Sequence, residues 1–136
     1  MSDSLIAQAR TALENAYTPY STYAVGAAIE TADGTVFTGC NVETANYSNT
    51  LHAEEVAIGT AIAAGHRSFE RLAVSSAARD GVTPCGMCRQ TLAEFCSESF
   101  EIHCDGDSTV DRYTLGELLP AAISESTLRG ATENED

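Results

Sequence analysis

Leu51-His52-Ala53-Glu54 and, further along, Pro84-Cys85-Gly86-Met87-Cys88 decide how this chain is read. An imidazole, a carboxylate and two thiols stand at two points that both read as helix starts. Pro84 suits the first turn of a helix, where no N–H is needed, and Thr50 offers a cap before the other. Zinc takes nitrogen and sulfur ligands in a tetrahedron, and His52, Cys85 and Cys88 supply three corners. A structural site closes the fourth corner with a protein ligand, whereas a catalytic site leaves it for water. A helix turns about 100° per residue, from its roughly 3.6 residues per turn. Glu54, two residues past His52, therefore diverges from it and belongs beside the metal, where a carboxylate carries protons. Thiolates at a helix N-terminus are favoured by the positive end of the macrodipole and by backbone N–H groups.

The C-x-x-C alone is ambiguous. It fits a thioredoxin-like redox pair, half of a structural zinc site, or two buried thiols. The upstream His52 and Glu54 shift the balance to catalytic zinc. Cys40, Cys96 and Cys104 lie in or beside apolar segments and read as small core residues. His66 reads as a surface residue, His103 as a partly buried structural histidine, and Glu55 as a solvated helix residue.

The rest of the chain wraps a sheet around these two points. Asp3 to about Tyr17 reads as an amphipathic helix, with Leu5, Ile6, Ala9, Leu13 and Ala16 on one face. Tyr23 to Ile29 and Thr35 to Cys40 read as strands joined at Thr31-Ala32-Asp33-Gly34, whose Asp-Gly pair signals a hairpin. Asn41 to Thr50 reads as a loop. The His52 helix extends to about Ala64 and stops at Gly65. Arg71 to Ala77 is apolar enough for a central strand. Pro84 to about Phe95 is helical, Phe100 to Cys104 and Thr109 to Tyr113 are strands about a turn at Asp105-Gly106-Asp107, and Leu115 to Leu119 is a short helix. Thr132 to Asp136 reads as a frayed acidic end. The order predicts an α/β fold, a three-layer α-β-α sandwich with a mixed five-stranded sheet, as a single domain over 1–136.

Composition bounds the function. The chain has 136 residues, 43% of them hydrophobic, and no apolar run of membrane-spanning length. Met1-Ser2-Asp3-Ser4 lacks the positive charge of a signal peptide, so the expected location is the cytoplasm. Five cysteines, two of them paired as C-x-x-C, fit metal ligation better than a secreted disulfide framework. Net charge is -13, and all seven basic residues are arginine. Such a surface repels phosphate backbones, which disfavours a nucleic-acid polymer as substrate. It also resembles proteins adapted to very high salt, where screening within about 3 Å removes self-repulsion; the bland alternative is an ordinary acidic protein.

H-x-E followed by P-C-x-x-C is the known signature of zinc-dependent nucleobase deaminases. Beyond it, Tyr23-Ala24-Val25-Gly26-Ala27-Ala28, Gly39-Cys40-Asn41-Val42-Glu43, Pro84-Cys85-Gly86-Met87-Cys88-Arg89-Gln90 and Glu117-Leu118-Leu119-Pro120 resemble the cytidine deaminases of the short-chain, homotetrameric type. The resemblance implies one Zn2+ per subunit on His52, Cys85 and Cys88, and hydrolysis of cytidine and 2′-deoxycytidine to the uridines in pyrimidine salvage. It implies that Glu54 takes a proton from the attacking water, protonates N3 of cytosine and then the departing amine. By similarity Asn41 and Glu43 grip the ribose 3′-hydroxyl. Left unpaired they are costly, so a free base is rejected. The Ala53 N–H meets the 2-carbonyl of the base, the Thr83 C=O meets its 4-amino group, Tyr23 stacks on the nucleoside, and Tyr47 belongs to a loop shared between subunits. Three positions depart from the family's usual residues: His52 for Cys, Glu55 for Arg, and Ile123 for Phe. Other readings are a deaminase of another cytosine nucleoside such as blasticidin S, disfavoured by Asn41 and Glu43; a non-catalytic zinc-stabilised module, disfavoured by Glu54; and a nucleic-acid editor, disfavoured by charge.

Overall fold

In the computed structural model, which describes residues 2–133, the strands are β1 (Val25–Thr31), β2 (Val36–Cys40), β3 (Phe69–Ser76), β4 (Glu101–Gly106) and β5 (Thr109–Thr114). The helices are α1 (Ser2–Leu13), α2 (Ala53–Ala63), α3 (Gly86–Phe95), α4 (Leu115–Leu118) and α5 (Glu125–Glu133). The sheet order is β2-β1-β3-β4-β5, with β3 and β4 parallel and the other pairs antiparallel. A parallel pair needs a crossover, usually a helix, and α3 supplies it. Leu72 to Ser76 of β3 are all buried, as a strand covered on both faces requires.

Alternation along the strands sorts the core into two layers. Ala27, Ile29, Leu72, Val74, Ile102 and Cys104 pack with Ala53, Ala57, Ile58 and Ala61 of α2 and Leu92 of α3. Ala28 and Ala73 face the other way and pack with Leu5, Ile6 and Ala9 of α1. The mixed five-stranded sheet between helical layers is the architecture the sequence predicts. Two glycines let the helices sit down on it. A Cβ at Gly39 would lie 2.4 Å from the Ala53 carbonyl oxygen and 2.5 Å from the Ala57 nitrogen. One at Gly26 would lie 2.1 Å from the Ala9 carbonyl oxygen. The Gly39 contact fixes the start of α2 against β2, where His52 and Glu54 stand.

The boundaries differ where long-range bonds overrule local preference. α1 ends at Leu13, not Tyr17. Asn15 and Ala16 make only i→i−3 bonds, and the Tyr17 N–H turns to the Asn41 carbonyl at 3.0 Å. Tyr17 thereby bridges Val42, which in turn bridges Leu51. α2 is capped by His52 rather than Thr50, and α3 begins at Gly86 after Cys85 as N-cap. A single 3-10 turn, Tyr47–Asn49, forms within the expected loop. The backbone of 132–133 belongs to α5, not to a frayed end; the remainder of that expected end, 134–136, lies outside the described residues.

Asp105 is no turn residue. It lies in β4 with its side chain fully buried. Arg10 of α1 donates to it from Nε at 2.6 Å and from Nη2 at 2.8 Å, and Ser75 Oγ donates at 2.8 Å. The Arg10 hydrogen bond holds the Asp105 carboxyl down at about 2. A carboxyl whose value is depressed in the folded chain stabilises it above the unfolded value, near 4, and stops doing so as pH falls through the folded value. Asp105→Ala is expected to cost about 1–3 kcal/mol at neutral pH, because it leaves the buried Ser75 hydroxyl without its acceptor and removes the partner of Arg10. The parent's advantage over Asp105→Asn is expected to shrink as pH falls from about 4 toward 2, as urea unfolding across that range will read.

Candidate metal centre and active-site cleft

The two helix starts meet. His52 and Cys85 are the N-caps of α2 and α3, and Cys88 closes the first turn of α3. His52 Nδ1 stands 3.1 Å from Cys85 Sγ and 3.5 Å from Cys88 Sγ. One donor atom from each of the three residues lies within 4.8 Å of the others. In a tetrahedral zinc site, bonds of about 2.3 Å to sulfur and about 2.0 Å to nitrogen set donors roughly 3.5 Å apart. The spacing and the soft donor set therefore fit zinc. Burial, and then the charges of Glu54 and Cys85, push the Cys88 thiol far above its ordinary value. A thiolate there calls for a cation beside it.

Glu55 is not the solvated residue expected. It is half-buried at the third position of α2, and its Oε1 accepts from the His52 backbone N–H at 2.6 Å. This is half of a capping box, and it holds the backbone of a metal ligand. Glu54 is 6% exposed, and burial raises its carboxyl above the usual carboxylate range. It does not join the three-donor cluster, as the helical divergence predicts.

A cleft of about 310 Å³ opens over these groups. Tyr23, Asn41, Glu43, His52, Ala53, Glu54, Thr83 and Cys85 all line it, so the structure brings these sequence-predicted residues together. Cys88 is buried behind them. Tyr47 is outside it. It is 72% exposed, stands edge-on to Tyr20 at 5.7 Å, and lines an adjoining hollow that shares Ser21, Glu43, Thr50 and His52 with the cleft. Ile123 is exposed. His103 is wholly buried in β4 and turns Nε2 toward Glu101, and Cys40 and Cys96 take no part in the metal cluster.

Asn41 and Glu43 already have partners. Asn41 Nδ2 donates to the Tyr23 carbonyl at 2.8 Å and its Oδ1 accepts from the Val25 N–H at 3.0 Å. Glu43 Oε1 accepts from the N–H groups of Tyr20 and Ser21, each at 3.0 Å, and Oε2 accepts from Ser21 Oγ. The Ser21 bonds, side chain first, hold the Glu43 carboxyl below its ordinary value. Sequence reasoning also missed Arg89. Its guanidinium donates to the Pro84 carbonyl at 2.7 Å, the Thr83 hydroxyl at 2.9 Å and the Leu118 carbonyl at 2.8 Å, tying the Thr83 segment to α3 and α4. Its only sequence signal is its place directly after Cys88.

Residues 1–104 match the family model of the cytidine and deoxycytidylate deaminase zinc-binding region. The chain belongs to the cytidine and deoxycytidylate deaminase family. A cytidine deaminase of Sporosarcina psychrophila is 42% identical over 96% of this chain and 97% of its own length. One of Halalkalibacterium halodurans is 39% identical over 88% and 92%. The crystal structure of cytidine deaminase from Burkholderia pseudomallei superposes with a TM-score of 0.86 at 40% identity, over 90% of this chain and 99% of that one. Membership in this zinc-binding deaminase family agrees with the donor set of His52, Cys85 and Cys88.

Cys85→Ala and Cys88→Ala are expected to lose bound zinc. Structural and catalytic zinc both add to folding free energy when bound, so the melting temperature of the parent should fall on chelation while that of the variants does not. Zinc analysis after dialysis checks this, and a Cys88→Ala protein that keeps a full complement of metal would remove the assigned centre.

Proposed function

We propose that this chain is a zinc-dependent enzyme that hydrolyses cytidine and 2′-deoxycytidine to uridine and 2′-deoxyuridine with release of ammonia, in pyrimidine salvage. One observation carries the reading: a buried, elevated Glu54 carboxyl stands in the same cleft as the metal donors and the Asn41–Glu43 wall. Zinc, when bound, supplies a Lewis acid that makes water a stronger acid near neutral pH. Every other role falls to the chain. Glu54 accepts one proton of the attacking water and gives it to N3 as the C4–O bond forms, then takes the remaining proton from the new C4 hydroxyl and delivers it to the amine, so that the C4–N bond breaks, ammonia leaves and the C4 carbonyl forms. Its raised value suits a group that must both take and give a proton. Ala53 is the first residue of α2, and first-turn N–H groups have no partner within their helix, so its N–H is placed to bind the 2-carbonyl. The Thr83 carbonyl receives the 4-amino group, and the Tyr23 ring stacks on the base.

Asn41 gives the Tyr23 carbonyl one of its two amide N–H donors, and Glu43 uses three of about four acceptor sites. One donor and one acceptor remain, and a hydroxyl such as the ribose 3′-OH takes both. Tyr20 and Tyr47 form an exposed apolar rim on the hollow beside the cleft, and Tyr17 and Leu51 are exposed as well. That rim supports a homotetramer in which Tyr47 serves a neighbouring subunit's site. Among the described residues no helix is long and apolar enough to cross a membrane. The charge of -13 supports a cytoplasmic enzyme adapted to high salt that acts on free nucleosides rather than nucleic-acid polymers.

Glu54→Gln tests the chemistry. The amide keeps size and fold but cannot shuttle protons, so turnover of cytidine, followed by its ultraviolet absorbance, should fall at least about 10²–10⁴-fold with zinc retained. Normal turnover would sink the mechanism. Salt tests the adaptation. Withdrawing salt lengthens the screening distance from about 3 Å at 1 M toward about 30 Å at 0.01 M. Activity and sedimentation should both decline as it does, and a flat response would reject the high-salt reading.

A further inference from the structure

Tyr23 joins the two walls of the cleft. Its backbone belongs to one wall: the N–H reaches Ser21 Oγ at 3.0 Å, and the carbonyl accepts from Asn41 Nδ2 at 2.8 Å. Its hydroxyl belongs to the other. It donates to Asp80 Oδ2 at 2.8 Å, with Oδ1 at 3.0 Å. Asp80 sits in the loop between β3 and α3, and takes a further bond from Ser76 Oγ at 2.8 Å. That same loop carries Val82 and Thr83 into the cleft.

The loop needs an external hold. Arg79 has φ 50, which a residue with a Cβ rarely adopts, whereas Gly81 at φ 72 takes its turn freely. Backbone bonds pin its two sides, from Arg79 N–H to the Ser76 carbonyl at 3.0 Å and from Gly81 N–H to the Asp105 carbonyl at 2.9 Å. Asp80, between them, is held through its carboxylate, which takes bonds from the Ser76 and Tyr23 hydroxyls and from the Val82 backbone. The Ser76 bond, then the Tyr23 bond, holds the Asp80 carboxyl below its ordinary value, and burial first raises the Tyr23 phenol. At neutral pH the one is a charged acceptor and the other a protonated donor, the stronger kind of hydrogen bond.

We propose that Asp80 is a positioning residue of the cleft: by holding the Tyr23 hydroxyl and the Ser76 hydroxyl in one carboxylate, it fixes where the far end of the Tyr23 ring sits and its distance from the Thr83 wall, and so sets the affinity for the nucleoside. The inference rests on the deaminase reading above. The bond also points the polar end of Tyr23 at Asp80, which leaves the ring to serve as an apolar stacking face.

The test is a double-mutant cycle on Tyr23→Phe and Asp80→Ala, reading kcat and KM for cytidine, Kd for uridine, and zinc content. Each single variant should raise KM about five- to tenfold with kcat within about twofold, because ground-state and transition-state binding are lost alike. Uridine affinity should fall in step. The double variant should match Asp80→Ala alone instead of multiplying the two effects, since Asp80→Ala already removes the tie that Tyr23→Phe cuts. Asp80→Asn keeps an acceptor and should recover part of the loss. Tyr23→Phe, which preserves the ring, carries the test if Asp80→Ala does not fold. Singles with the parent's KM, multiplicative effects, or a fall in kcat at constant KM would each overturn the proposal while leaving an active parent a deaminase. A parent that neither turns over cytidine nor binds uridine overturns the deaminase reading, and the inference with it.

Discussion

Everything in this fold serves one meeting: the N-termini of α2 and α3 must come within ligand distance, although the donors they carry are far apart in sequence. His52 Nδ1 and Cys85 Sγ end 3.1 Å apart because each helix is seated independently. α2 lies on Gly39 through an alanine face, Ala53, Ala57 and Ala61, which allows its backbone to touch the sheet. α3 is the crossover of the parallel β3–β4 pair, so its start is delivered to the end of β3 where α2 also begins. Two helix N-termini side by side make a positive field, and the chain fills it with acids: Cys85, Cys88, Glu54 and Glu55. Their mutual repulsion adds to burial in raising Cys88. A divalent cation balances the charge of two thiolates. The metal is therefore the counter-charge that this junction of helices requires as well as the chemical agent.

Residues with local periodicity were legible in the sequence, and residues defined by distant partners were not. The apolar run of β1, the apolar face of α1 and the Asp33-Gly34 turn all announce themselves, because each depends on neighbours within a few positions. The metal donors were legible for a different reason: few residue types bind zinc, and their spacing with helix starts is restrictive. Asp105 was read as a turn because Asp-Gly-Asp is turn chemistry, yet Arg10, 95 residues earlier, pulls it into the core. Tyr17 leaves the helical pattern to pair with Val42. Glu55 reads as one more surface acid until its carboxylate is seen on the His52 N–H. Asp80 and Arg89 have no signature of their own, since each acts on a loop whose path the sequence does not state.

The scarcity of cations sharpens these roles. With net charge -13 and no lysine, the chain sets two of its arginines, Arg10 and Arg89, where a planar fork has work that a point charge does poorly. Arg10 grips Asp105 with two nitrogens, Arg89 spans three acceptors, and Arg67 donates to the carbonyls of Ile62 and His66 just past α2. Arg89 and Arg67 bond backbone or hydroxyl oxygens, so they do not depend on a carboxylate whose attraction salt would screen. Exposed pairs such as Arg129 with Glu125 contribute little in any medium.

The same economy alters how the cleft distinguishes its ligand. A site whose buried polar groups are stranded without substrate rejects an analogue lacking the matching hydroxyl by about 10⁴–10⁵-fold. Asn41 and Glu43 are not stranded, because the backbone of residues 20–25 and the Ser21 hydroxyl already satisfy most of their capacity. On the proposed role of this pair at the ribose, a free base would forfeit the bonds to the sugar hydroxyl, each worth about 1 kcal/mol net, without leaving those side chains unpaired. The discrimination built into this wall is therefore modest in energy. What the network provides instead is order: the amide and the carboxylate are fixed before the nucleoside arrives, so little side-chain freedom remains to be lost on binding. If Asn41 and Glu43 hold the ribose as proposed, that wall works by being rigid, and its selectivity comes from where their remaining donor and acceptor sites are held.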